Sequence, residues 1–262
     1  MSSVIITGSS DGIGKDLAYS FSKRGFRIGL IARRIELLET VAEECLKLGA
    51  KQVLYKIVDV SNEQEFIQAL TDLDDKLSTD IFIANAGIGL NGSLRNEYEL
   101  YKKTFSVNFL GAINGLEFMK VKMLERKKGT LVGVSSVAGA RGMPVSGAYS
   151  SSKAALTIYL ESLRIDLSPH NIKVLTVAPG FIKTAMTDQN TFSMPFMISA
   201  NKASEIFAKQ IIQGNELIIA PWQFKHVYRL LQLIPDVLYY FVMKRVAKGK
   251  AQSAALKRQK LG

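Results

Sequence analysis

Tyr149 and Lys153 stand four residues apart in a run with helical spacing, so both side chains project from one helix face. A phenol ordinarily titrates near ~10, and an ammonium held close favours the ionised form, which would bring this tyrosine toward working pH and let it move protons. Ser136 lies thirteen residues upstream, just beyond an apolar run that ends at Ser135, and its hydroxyl could orient a substrate carbonyl. Taken alone, Tyr-x-x-x-Lys is usually a surface pair on a helix.

A second cluster lies near the start of the chain. The turn Thr7-Gly8-Ser9-Ser10-Asp11-Gly12-Ile13-Gly14 follows an apolar β-branched run and opens a helical pattern. Glycines there permit positive φ and close approach of the backbone to a pyrophosphate, while the free N–H groups at a helix start favour an anion. A lone glycine triplet is more often an ordinary strand-to-helix turn; its place after the first strand favours a dinucleotide. At the tip of the second strand, where an Asp or Glu would bind the ribose 2′-hydroxyl of NAD, the chain has Arg33-Arg34. A guanidinium suits a 2′-phosphate, so the expected cofactor is NADP(H), with NAD(H) second. Arg33 is the expected reader, Ser10 a supporting donor, and Arg34 a solvated residue at the start of the next helix. Asp11 runs against this reading unless it points away from the phosphate.

The elements that must position these groups alternate regularly. Strands are expected at Val4–Thr7, Arg27–Ala32, Val53–Val58, Ile81–Ala84, Thr130–Ser135, Lys173–Ala178 and Leu217–Ala220, with helical patterns between them, one running from Glu97 to Arg126. Such alternation gives a parallel sheet covered by helices on both faces, a single doubly wound α/β domain. Residues 180–200, with Phe181, Phe192, Met194, Phe196 and Met197, read as an irregular loop or a short helical lid, a candidate cover for a substrate.

At 262 residues, with 47% apolar and 22% charged residues, the chain excludes a disulfide miniprotein and a disordered protein. Cys45 is the only cysteine, and His170 and His226 the only histidines, so no metal site is expected and a reducing, cytoplasmic setting is. The N-terminus shows no basic leader or cleavage site of a secretory signal. Of the net +11, seven basic residues from Lys244 onward leave +4 on residues 1–243, so the excess sits in a tail.

The chain resembles the short-chain dehydrogenase/reductases, on motifs collinear over roughly residues 1–221. Thr7 to Gly14 match TGxxxGxG, Asp59-Val60 the adenine-contacting pair, and Asn85-Ala86-Gly87 most of NNAG, with Ala84 replacing its first Asn. Val107-Asn108, Ser135-Ser136, Tyr149 to Lys153 and Pro179-Gly180 leading to Thr184 follow in order. The resemblance implies a Rossmann domain over residues 1–221, its seven-stranded sheet ordered 3-2-1-4-5-6-7. It implies hydride transfer between a nicotinamide and a carbonyl or secondary alcohol. Tyr149 would be the general acid/base, Lys153 would hold the nicotinamide ribose and depress the tyrosine pKa, Ser136 would polarise the carbonyl, and Asn108 would hold a relay water. Gly8, Ser10, Asp11, Gly12, Ile13, Gly14, Arg33, Asp59, Val60, Asn85, Ala86 and Gly87 would line the cofactor. Pro179, Gly180, Ile182 and Thr184 would border the nicotinamide. A homodimer or homotetramer through the long fourth and fifth helices is also implied.

Residues 222–262 are expected to add a helical extension of the same domain with a basic tail. Its aromatic and apolar segment is too broken to span a membrane, and it reads first as helices packed on the core or on another subunit. Weak contact with an anionic membrane surface is the alternative. A dinucleotide-binding sensor without catalysis is the competing function, and the lack of basic and aromatic interleaving in the main domain excludes a nucleic-acid binder.

Overall fold

Short β-branched runs joined by amphipathic helices fold into parallel strands, because each helix carries the chain back to begin the next strand in the same direction. The computed structural model describes residues 2–89, 98–188, 190 and 192–259. Its first half runs β1 (Ser3–Thr7), α1 (Gly12–Ser22), β2 (Arg27–Ala32), α2 (Ile35–Lys47), β3 (Gln52–Ile57), α3 (Glu63–Leu77) and β4 (Ile81–Ala84). The second half continues with α4 (Tyr98–Phe105), α5 (Gly111–Arg126), β5 (Gly129–Val134), α6 (Gly147–Asp166) and β6 (Ile172–Pro179). Then follow β7 (Ile182–Lys183), α7 (Ala185–Asp188), β8 (Ile198–Ser199), α8 (Ala200–Gln213), β9 (Leu217–Ala220), α9 (Gln223–Leu233) and α10 (Asp236–Gln259).

Seven strands form one all-parallel sheet in the order β3-β2-β1-β4-β5-β6-β9. This is the expected topology, its seventh strand being β9 because the short pair β7-β8 intervenes. Val4 lies between Ile28 and Ile81 across the sheet, so β1 is central and the winding reverses between it and β4. A crevice outside the carboxyl ends of β1 and β4 follows from that reversal.

Both sheet faces are covered, which is why the strands read as continuous apolar runs. Leu17, Phe21, Leu38 and Phe207 from α1, α2 and α8 fill one side, and Phe66, Leu70, Leu116 and Leu160 from α3, α5 and α6 the other. Each side chain of this size, fully buried, contributes about 1.5–3 kcal/mol. A small third cluster, Val137, Ile219, Phe224 and Tyr228, seats α9.

Two segments differ from their sequence patterns. The helix expected over Glu97–Arg126 is divided: α4 passes through a π turn at Ser106–Leu110 before α5 begins, and Glu97 itself lies outside the described residues, as does Lys260 of the tail. Residues 180–200 are neither wholly irregular nor a simple lid; β7 pairs in parallel with β8, and one helical turn, α7, lies between. Among the described residues no helix is long and apolar enough to cross a membrane.

Candidate active site

The phosphate-binding turn is built on three glycines, where a side chain would strain the backbone or collide with it. Gly8 and Gly12 have φ of +67° and +56°, and a Cβ on Gly14 would stand 2.3 Å from the Gly8 carbonyl oxygen. Asp11 caps α1, its carboxylate accepting from the Gly12 N–H at 2.7 Å. Thr7 fixes the turn from below, its Oγ1 accepting from the N–H groups of Asn85 and Ala86, each at 3.0 Å. Asn85 returns the tie through Nδ2, donating to the carbonyls of Thr7 (2.9 Å) and Gly8 (3.2 Å). The ends of β1 and β4 are thereby locked beside each other, with Asn85 organising backbone.

Two arginines stand at the rim beyond β2. Arg33 pairs with Asp59 at 3.2 Å. Burial alone would raise the Asp59 carboxyl, but bonds from the Ser61 N–H and hydroxyl and from Arg33 hold it below its ordinary value. Arg34 is not simply solvated, as its position had suggested. Its guanidinium donates to Ser10 Oγ at 3.2 Å and lies 3.6 Å from Asp11, because the backbone turns at Arg34 to cap α2 and aims the side chain back across the glycine turn. The Asp11 charge that ran against a phosphate is thus countered by a neighbouring cation.

Ser136, Tyr149 and Lys153 meet where β5 ends and α6 begins. Ser136 caps the short turn Val137–Gly139, its Oγ accepting from the Ala138 N–H at 3.1 Å and lying 3.5 Å from the Pro179 carbonyl oxygen. Both Ser135 and Ser136 line the cleft, but the Ser135 hydroxyl is engaged, donating to the Lys153 carbonyl at 2.9 Å and sharing a 2.7 Å bond with Thr157. Burial pushes the Tyr149 phenol above its ordinary value, and a hydrogen bond with Ser136 opposes that rise. The expected lowering by Lys153 is absent. Its Nζ, 6.0 Å from the Tyr149 ring centroid, donates to the Val134 carbonyl at 2.7 Å, and burial brings it down to about 8. A protonated phenol beside a serine hydroxyl can place two donors on one carbonyl oxygen.

The expected cofactor and catalytic residues line one cleft of about 450 Å³, running from Arg33 and Arg34 past Gly12 to Tyr149 and Thr184; Asn108 alone does not. Its amide lies fully buried in the π turn, accepting from the Ile88 N–H at 2.7 Å and donating to the Ile88 carbonyl (3.0 Å) and Ser152 (3.2 Å). It therefore holds the segment after Gly87 in place.

The family described as short chain dehydrogenase matches residues 2–193. The chain belongs to that family of oxidoreductases. An "uncharacterized oxidoreductase" of Myxococcus xanthus is 34% identical, the match covering 92% of this chain and 96% of that protein. The "11-beta-hydroxysteroid dehydrogenase-like 2" of Arabidopsis thaliana is 30% identical over 91% of this chain and 80% of its own. Among solved structures, a short-chain dehydrogenase/reductase from Burkholderia phymatum in complex with NAD superposes with a TM-score of 0.80 at 21% identity, covering 87% of this chain and 92% of that one, a likeness of fold.

In this short-chain dehydrogenase the cleft also takes in residues that no motif marks. Thr187 bonds the Thr184 N–H at 2.9 Å and, with Ile88 and Met186, lines the cleft only because tertiary packing brings it there.

Proposed function

We propose that this chain is an NADP(H)-dependent oxidoreductase that interconverts an apolar carbonyl compound and its secondary alcohol. The observation that carries the reading is the convergence of the Ser136 and Tyr149 hydroxyls and the Lys153 ammonium at one end of a cleft whose other end is a glycine turn flanked by two arginines. The residues fit a dinucleotide. The turn presents bare backbone at Gly8 and Gly14, where a Cβ would collide, and Ser10, Arg33 and Arg34 offer a hydroxyl and two guanidinium groups to a 2′-phosphate.

When bound, the nicotinamide supplies or accepts the hydride. The chain's own residues handle the proton. Ser136 donates to the carbonyl oxygen, and the Tyr149 phenol, whose proton burial holds more firmly than in water, transfers that proton to the oxygen as the alcohol forms. Lys153, anchored on Val134, would hold the nicotinamide ribose beside the tyrosine. Alcohol oxidation runs the same transfers backward, with Tyr149 as base.

The apolar character of the substrate rests on Phe181, Phe192 and Phe196 beside Phe224, and the hydroxysteroid name of the Arabidopsis relative puts alcohols and ketones of that kind first in a screen. A reducing, cytosolic setting and a homo-oligomer through α5 and α6 complete the reading. Tyr149→Phe is the decisive test: turnover of a ketone panel with NADPH should fall by about 10²–10⁴-fold while the NADPH dissociation constant stays put. Undiminished turnover would remove Tyr149 from the chemistry, and a wild-type chain that binds NADPH yet converts no carbonyl would favour the sensor reading.

A further inference from the structure

The C-terminal helices carry more apolar surface than the core takes up. On α9 the core receives Phe224 and Tyr228, 7% and 2% exposed. Val227, Leu230 and Leu233 form a second apolar stripe that faces outward, the last two 63% and 81% exposed. α10 then opens with Val237, Leu238, Tyr239, Tyr240, Phe241, Val242 and Met243, a run that encircles the helix. Val237, Leu238, Tyr240, Phe241 and Val242 are all exposed. A helix apolar all round belongs inside something, and a contiguous patch of this kind marks an interaction surface. Seven residues rise only about 10 Å, far short of the ~20 residues needed for a crossing, so the segment suits a surface it can lie in.

Charge selects the occupant. Lys225, Arg229, Lys244 and Arg245 are exposed on the same two helices. From residue 222 to the end the sequence carries nine basic residues and one acid, Asp236, which pairs with Arg141 at 2.7 Å. Lys244 and Arg245 lie over the rings of Tyr240 and Phe241, at 5.8 and 3.9 Å from their centroids, so the cations edge the aromatic surface. A second copy meeting this face about a two-fold axis would oppose like charges. An anionic lipid surface answers both the stripe and the charge.

We propose that α9 and the first turns of α10 dock the protein on an anionic phospholipid surface, apolar residues in the headgroup boundary. The docking element is fastened to segments that adjoin the Ser136 and Gly180 end of the cleft. Arg141, five residues beyond Ser136, bonds the Ile234 carbonyl as well as Asp236 and stacks on Tyr239, whose hydroxyl donates to the Gly142 carbonyl at 2.7 Å. Phe224 of α9 meets Phe181 and Phe196 edge-on, at 5.3 and 6.4 Å. Docking therefore brings that end of the cleft to the lipid, and, resting on the function proposed above, makes the substrate an apolar carbonyl or alcohol dissolved in the bilayer.

The full chain, sedimented with vesicles of phosphatidylcholine alone and of phosphatidylcholine with phosphatidylserine, should bind the mixed vesicles about ten-fold more tightly and release them at high salt. Lys244→Gln and Arg245→Gln should each weaken binding about five-fold. Phe241→Asp should abolish it while the circular dichroism, melting temperature and NADPH affinity remain those of the wild type. Equal binding to both vesicles, absence of the protein from the pellet, or a wild-type dimer that Phe241→Asp splits would each overturn the docking surface. Vesicle binding by a chain that converts no carbonyl would leave docking intact and overturn the function; conversion in solution by a chain that never sediments would do the reverse.

Discussion

Burial moves Tyr149 and Lys153 in opposite directions, the phenol up and the ammonium down, and each shift has a measurable consequence. With the phenol protonated through neutral pH, ketone reduction should hold level there and fall as pH rises into the tyrosine range, while alcohol oxidation should climb over the same interval; parallel profiles for the two directions would contradict the assignment. Lys153 binds its proton up to 10.5 in the unfolded chain but only to about 8 in the folded one. Its charge therefore costs stability below pH 8, on the order of 3 kcal/mol, and the cost disappears as pH rises from 8 toward 10.5. Lys153→Met should remove this stability gain, seen by comparing the melting temperatures of wild type and variant at neutral and alkaline pH. At the rim, Arg33→Ala and Arg34→Ala should each weaken NADPH about ten-fold and leave NADH unchanged, consistent with charge-assisted bonds of ~1.5–3 kcal/mol. Equal NADPH and NADH affinities in the wild type would assign the ribose to Asp11 and turn the search to NAD-linked alcohol oxidation. The spacing of Tyr149 and Lys153 made their pairing readable, but the direction of the tyrosine shift was not, because desolvation depends on everything packed around the ring.

At the scale of the element, the strand-to-helix turns carry the function. Gly8 combines φ of +67° with a position where a Cβ would meet the Ala86 Cα at 2.7 Å. Gly8→Ala should therefore cost about 1–2 kcal/mol from the left-handed backbone alone, more from the collision, and lower the melting temperature by a few degrees. Dinucleotide affinity should fall with it, read by calorimetry, since Asn85 would lose its grip on the Gly8 carbonyl. Apolar periodicity located the strands of the main sheet and the helices between them, since those strands are buried on both faces. It did not show the π turn at Ser106–Leu110, whose residues keep a helical pattern, nor β7 and β8, which are too short to carry one.

For the whole molecule, exposed apolar residues gather on the C-terminal helices, and others stand on the outer faces of α5 and α6. On the latter, Val121 is 51%, Ile158 67% and Ile165 72% exposed, at turn-repeating positions along the two helices. Burying such faces against a second copy would contribute about 25 cal/mol for each Å² removed from water. Light scattering should accordingly give a multiple of 28.9 kDa, and Ile158→Asp with Val121→Asp should shift it to the monomer. A wild-type monomer at micromolar concentration would remove the oligomer from the reading.

By itself the sequence determined the alternation of strands and helices, the glycine turn and the order of the motifs, because local periodicity and backbone freedom are properties of neighbours along the chain. Only the tertiary structure decided that Arg34 turns back to Ser10 and Asp11, that Asn108 clamps Ile88, and that Arg141 ties α10 to a segment adjoining the Ser136 end of the cleft. Those contacts join residues 20 to 95 positions apart. Their geometry is set by how the sheet twists and the helices pack, which no local pattern encodes.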